Sequence, residues 1–290
     1  MPLAVFPGTG GDGSLAEHAD FYLRFWGVRG SVPCPGPATV RYGGNTSCIE
    51  MRCGGRLLIF DAGTGLRLLD GSLGEGPVEA DLFMTHTHLD HVCGWPYFTA
   101  LTRPQTRLTA WAGHLKPPHT LASVLDRFLR DPVTPVHRDN VAAQIGWRAF
   151  AIADTLTPHD GITVKTALLN HPNTACGYRV EYGGRSICYV TDTEHVPDEP
   201  DRNVLGLIEG ADILVYDATY TDAEFPKFVT WGHSTWQEGV RLSDAAGVRT
   251  FVAFHHDPSH DDDTMDGIAA ELERARPGSV VAREGMVLAP

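Results

Sequence analysis

The segment that most restricts the fold is a short apolar run, Ala80–Met84, that ends directly in Thr85-His86-Thr87-His88-Leu89-Asp90-His91. Its composition predicts a strand. Side chains on extended backbone alternate with a period of two, so His86 and His88 point to the same side. Asp90 and His91 follow where the chain turns away, and can face a second point. A lone histidine is most often ordinary surface polarity. Three histidines and an aspartate packed within six residues are a ligand set, and imidazole with carboxylate suits zinc, manganese or iron.

Other strands end the same way. Ser186–Val190 and Ile213–Tyr216 run into Asp192 and Asp217, and Thr250–Phe254 runs into His255. Phe21, Leu23 and Phe25 alternate with Tyr22, Arg24 and Trp26, which predicts a strand, and Ser47–Arg52 and Arg56–Phe60 read as two strands joined by a hairpin turn at Cys53-Gly54-Gly55. A further strand is expected over Ser279–Val287. Helices are expected from Leu66, around Leu121–Leu129, over Gln237–Ala246 and over Ile268–Ala275. Strands alternating with helices imply an α/β layered fold. Residues 1–20 read as a flexible lead-in and 21–290 as one domain. The stretch 101–148, which holds Trp111, His114, His119, Phe128, His137 and Trp147, is a candidate lid.

The HxHxDH motif at a strand end resembles the metallo-β-lactamase superfamily, and the later ligands appear in the family's order: Asn170-His171-Pro172, then Thr191-Asp192-Thr193, then Phe254-His255-His256. The resemblance implies an αββα sandwich of two mixed sheets between helices, with two divalent ions at one edge. It places His86, His88 and His171 on one ion, and Asp90, His91 and His255 on the other, with Asp192 bridging. His255 is preferred to His256, and His260 is expected at the surface or rim. His88 stands where oxygen-reducing diiron members carry a carboxylate, and Asp192 where zinc β-lactamases carry cysteine, so neither activity is favoured.

The later segments Tyr216-Asp217-Ala218-Thr219 and His233-Ser234-Thr235 are similar to the ribonuclease Z branch, with Tyr for His and Asp for Glu in the first. Thr235 with Glu238 reads as a capping box, which fixes His233 just before a helix. His233 and Ser234 are therefore candidate substrate contacts, as is Asn45 in the Gly-Gly-Asn-Thr-Ser turn, and His233 a candidate acid. Asp61 and Asp217 are candidates to orient ligand histidines. His171 and Asp192 stand 21 residues apart, too close for the long tRNA-binding arm of ribonuclease Z proteins. The compact spacing resembles phosphoribosyl cyclic phosphodiesterases of the same branch.

Charge agrees. A formal net charge of −13 argues against a broad grip on long nucleic acid, while a small anionic substrate can still meet the metal pair. The expected reaction is hydrolysis of a small cyclic phosphate or nucleotide-like phosphodiester on two zinc or manganese ions, with iron also compatible. Asp90 would orient the attacking water and His233 assist the leaving group. The alternatives are a carboxylic ester, lactone or thioester hydrolase on the same ions, or an RNA-processing nuclease. Six scattered cysteines without a CxxC pair, and no signal peptide or membrane span, suggest reduced thiols in the cytoplasm. A homodimer is compatible with the sequence.

Overall fold

The computed structural model describes residues 19–290. The expected lead-in, 1–20, lies outside the described residues except for its last two. The first half of the chain builds one sheet: β1 (Phe21–Gly27), β2 (Cys48–Cys53), β3 (Arg56–Phe60), α1 (Leu66–Ser72), β4 (Glu79–Met84), α2 (Leu89–Val92), β5 (Arg107–Ala112), α3 (Leu121–Leu125) and β6 (Gln144–Ala149). The second half builds another: β7 (Thr155–His159), β8 (Ile162–Leu169), β9 (Ala175–Tyr182), β10 (Arg185–Val190), α4 (Arg202–Ile208), β11 (Ile213–Asp217), α5 (Trp236–Ala246), β12 (Thr250–Phe254), α6 (Asp262–Ala275) and β13 (Val280–Val281). Last, β14 (Val287–Leu288) crosses back to pair with β1.

Each sheet has seven strands, in the orders β14-β1-β2-β3-β4-β5-β6 and β13-β12-β11-β10-β9-β8-β7. Each is mixed. The pairs β3-β4-β5-β6 and β10-β11-β12-β13 are parallel, and the remaining pairs are antiparallel. One apolar core lies between the sheets, built on Phe25, Phe60, Phe83, Tyr178, Tyr189, Val215 and Phe254. A second joins the outer face of the second sheet to α4, α5 and α6 through Leu207, Leu242 and Leu272. A third joins the first sheet to α1 and α3 through Leu69, Trp95 and Leu125. Helices thus cover both outer faces, and the αββα sandwich expected from the sequence is present.

Three expectations change. The stretch 101–148, where only a helix was expected, carries β5 and all but the last residue of β6, and these extend the first sheet. Trp111 alternates inward on β5, stacks on Phe83 at 5.6 Å and donates to Asp81. The closing strand over 279–287 is two short strands in different sheets, because the chain turns at Gly285 between them. Thr235 caps α5 by accepting from the Glu238 amide at 3.1 Å, but the Glu238 carboxylate pairs with Arg241 instead of returning to the cap. Among the described residues no helix is long and apolar enough to cross a membrane.

Candidate metal centre

Five parallel strands, β3, β4, β10, β11 and β12, deliver their C-terminal ends to one edge of the sandwich. Three of them turn sharply there: Asp61, Asp192 and His255 have φ of 60°, 59° and 63°. Left-handed backbone is costly for residues other than glycine and persists where surrounding contacts impose it. Here it turns each side chain out of the pleat into the cleft between the sheets. Two tyrosines of the second sheet tie that end shut. Tyr178 donates to the Met84 carbonyl at 2.6 Å and Tyr189 to Asp61 at 3.0 Å.

Two donor groups result. Asp90, His91, Asp192 and His255 bring ligand atoms within 4.8 Å of one another, and His86, His88 and His171 do likewise. In the first group, His91 Nε2 lies 3.3 Å from Asp90 Oδ2 and 3.2 Å from Asp192 Oδ2. His255 Nε2 lies 3.4 and 3.3 Å from the same two oxygens. Both Nε2 atoms are buried without a hydrogen-bond partner, so these approaches are near but misaligned. Donors about 2.0–2.1 Å from one tetrahedral ion stand about 3.3–3.4 Å apart, and all four distances agree with that.

In the second group, Asp192 offers its other oxygen. Oδ1 lies 3.7 Å from His86 Nε2 and 3.6 Å from His171 Nε2, while His88 Nδ1 lies 3.0 Å from His171 Nε2. His86 Nε2 is also buried and unpartnered. The residues therefore fit two divalent cations, with one carboxylate oxygen of Asp192 turned toward each group.

The far side of each ring is held. His91 Nδ1 donates to Asp61 at 2.9 Å, and Asp61 also accepts from the Thr85 amide and hydroxyl. His86 Nδ1 meets the Thr85 hydroxyl at 3.0 Å, and His255 Nδ1 meets the Thr219 hydroxyl at 3.0 Å. His171 Nδ1 donates to the Gly232 carbonyl at 2.7 Å. Each of these contacts leaves Nε2 as the lone pair facing the cleft, the second-layer arrangement that fixes ligand tautomers. His88 differs: its Nδ1 faces inward and its Nε2 lies 3.2 Å from the Asn173 amide. Glycine is required at two contacts. A Cβ on Gly30 would stand 2.4 Å from the His255 ring, and one on Gly232, at φ 85°, 2.4 Å from His171 Nδ1.

Electrostatics follow from crowding acids and imidazoles in a buried space. Burial pushes His86 well below the usual imidazole range, with the neighbouring His91 adding to it. Burial opposes the charge on Asp90 and Asp192, yet His91 and His255 hold both carboxyls well below the usual range. Burial likewise opposes a charge on His91, but Asp90, Asp192 and Asp61 outweigh it and raise its pKa well above the ordinary value. The cluster thus attracts positive charge, and a coordinating His91 would release its proton.

The remaining candidates divide. His233 joins His171 and Asp192 in a donor group, and its Nδ1 donates to Asp217 at 2.9 Å. Burial alone would lower its pKa. The charge of Asp217 and the hydrogen bond to it, followed by Asp192 and Asp90, raise it to about 9. Asp217 also accepts from the amides of Asp192, Thr193, Thr219 and Ser234. It reaches His255 through the Thr219 hydroxyl, and with His233 and His255 it forms a further buried donor group. Ser234 is buried, and its hydroxyl is engaged by Tyr216 at 2.9 Å and His195 at 2.8 Å. Asn45 gives its amides to Glu284, so its side chain serves the turn. His256 turns away from the cluster to the Ala282 carbonyl, and burial lowers it to about 3. His260, expected at the surface or rim, is buried and paired with Glu224, and its carbonyl is held by Arg29. Thr85 and Thr219 lie inside the quoted motifs, which give them no role, and Asn173, the Gly232 carbonyl and Ser31, whose amide donates to Asp90 at 2.8 Å, carry no such mark in the sequence.

A family model described as "Beta-lactamase superfamily domain" matches residues 56–256, well over half of the chain. The chain belongs to the beta-lactamase superfamily. Within that superfamily it is a metal-dependent hydrolase. A ribonuclease Z of Gemmatimonas aurantiaca is 24% identical over 91% of this chain and 94% of its own length. A ribonuclease Z of Brevibacillus brevis is 33% identical over 34% of this chain, and that match spans only 31% of the relative. The solved structure of the metallo-beta-lactamase fold protein YhfI from Bacillus subtilis superposes with a TM-score of 0.67 at 18% identity, over 92% of this chain and 98% of that one. It shares the superfamily sandwich.

Proposed function

We propose that the chain hydrolyses the phosphodiester of a small cyclic phosphate or nucleotide-like substrate. His86, His88, His171, Asp90, His91, Asp192 and His255 would hold two divalent ions, zinc or manganese, with iron compatible with the same donors. Bound there, the ions would supply Lewis acidity and neutralise charge on the phosphate. The observation that carries the reading is His233, whose Nδ1 donates to the buried Asp217 carboxylate beside the cluster. A proton donor held at that place suits an alkoxide leaving group of a phosphodiester.

The chain's own residues then divide the work. Asp90 meets Ser31, His91 and His255 through Oδ2, and Oδ1 takes no part in those contacts. Oδ1 is free to accept from the attacking water and align it with phosphorus. Because Nδ1 of His233 is held by Asp217, its Nε2–H is the donor left for the leaving oxygen. Tyr216 and His195 fix Ser234, and through it the loop that presents His233.

A second reading, an RNA-processing nuclease, is favoured by the relatives named ribonuclease Z. Against a long substrate stand the net charge of −13 and the β9–β10 hairpin, which fills the space between His171 and Asp192 with sheet. Six free thiols, four of them buried, support a cytoplasmic setting.

Parallel assays of the metal-loaded protein on bis(p-nitrophenyl) phosphate, on cyclic phosphates, and on lactones and thioesters test the choice. Turnover confined to the lactones or thioesters would defeat it, and tight, salt-sensitive binding of precursor tRNA would favour the nuclease. His233→Ala should lower kcat about 10²–10⁴-fold on an alkyl leaving group, and far less on p-nitrophenol, which departs unaided. Equal losses on both would remove His233 from the role of acid.

A further inference from the structure

We infer that Trp231 is a stacking platform for a planar ring on the substrate, a nucleobase or aryl group, and that it selects base-bearing phosphodiesters over base-less ones. The inference rests on the phosphodiesterase reading and narrows its substrate class.

The donor cluster is buried except at one corner. His88 is partly exposed there, and its partner Asn173 is exposed. Substrate must enter at that corner. Two exposed apolar side chains flank it. Leu89, 62% exposed, directly follows His88. Trp231, 61% exposed, directly precedes Gly232, whose carbonyl holds His171, and His171 in turn lies 3.0 Å from His88. Val32 and Val229 are also about half-exposed, one beside Ser31, which holds Asp90, the other beside Thr230 in the Trp231 loop. Large apolar groups gathered at the lip of a polar site mark a surface that something apolar covers.

What covers Trp231 is narrowed by how the indole is held. Phe228 packs edge-on against it at 5.4 Å and 77°. Phe228 itself lies flat on Tyr220, at 4.3 Å and 5°, and Tyr220 abuts His233 at 6.2 Å. The loop after Trp231 is pinned by Gly232, whose amide donates to Glu194 at 2.8 Å. An aromatic ladder therefore runs from the imidazole that serves the leaving group out to an indole open to solvent. A planar ring carried on the substrate is the occupant that would stack on the open indole. Such bases stack on aromatic side chains without regard to sequence.

The test compares adenosine 2′,3′-cyclic phosphate with the base-less methyl riboside 2,3-cyclic phosphate, using metal-loaded wild type, Trp231→Leu and Trp231→Phe. In the wild type the base should lower KM about 10-fold. In Trp231→Leu that ratio should collapse to about 1, and Trp231→Phe should restore most of it. Calorimetric titration with adenosine 5′-monophosphate and ribose 5-phosphate gives the same comparison without turnover. If neither cyclic phosphate is hydrolysed, the phosphodiesterase reading fails, and the calorimetric ratio still decides the role of Trp231. An equal ratio in wild type and Trp231→Leu would overturn the inference. So would sedimentation showing a wild-type dimer that Trp231→Leu dissolves, because a second copy would then be what covers the indole.

Discussion

Asp61 shows how a single residue governs a site without belonging to it. Its two oxygens accept from His91, from the Thr85 amide and hydroxyl, and from Tyr189, and every one of these donors is buried. Replacement by asparagine keeps the shape but puts an N–H where one of these donors must be accepted. Asp61→Asn should weaken ion binding about 10–100-fold, measured by competition with a chromophoric chelator, and unchanged affinity would show that His91 is oriented by something else. Much at this scale was legible: the ligand histidines and aspartates follow apolar runs and declare themselves by type and spacing. Their supports were less so. Asp61 was visible as an acid at a strand end, and Thr219 closes a quoted motif, but nothing in the sequence says that its hydroxyl meets His255. The Gly232 carbonyl has no side chain to read at all, and Asn173 reaches His88 only because its loop folds back with φ of 66°.

At the scale of elements, the strands that feed the site were legible because each is a short apolar run with a sharp polar end. β5 and β6 were hidden by the proline-rich stretch that joins them, although β5 buries alternate residues as any half-covered strand does. The consequence is chemical. β5 runs parallel to β4, so its end sets His114 beside Thr87, with Nε2 3.3 Å from the threonine hydroxyl. Burial, helped by the charges of His88 and His91, lowers His114 to about 4. A buried histidine with a lowered pKa contributes stability in full above its unfolded value of about 6.5. That contribution is lost as pH falls through 4, and a tenfold difference in proton affinity between the folded and unfolded chain is worth about 1.4 kcal/mol. Between pH 7 and 4 the wild type should lose about 3 kcal/mol more stability than His114→Gln, read from denaturant unfolding at each pH. Parallel pH profiles for the two proteins would mean that His114 charges as freely folded as unfolded.

Across the whole molecule, two half-antiparallel, half-parallel sheets face each other so that the parallel halves end at the same edge, and ligands 169 positions apart in the chain, His86 and His255, meet there. The layered class was legible from alternating strands and helices. The pairing of sheets was not, because sequence patterns report which face is buried and not which partner buries it. The excess of acids over bases leaves the donor edge as the place where an anion can be met, and only if cations sit in it. Asp192 is the side chain common to both donor groups, one oxygen to each. Elemental analysis of purified protein, with anomalous scattering from crystals, measures this directly. Two ions per chain are expected, one in each group, with both diminished in Asp192→Ala and only the His86–His88–His171 ion diminished in His88→Ala. A fully loaded protein with no ion beside these side chains would contradict the proposed centre.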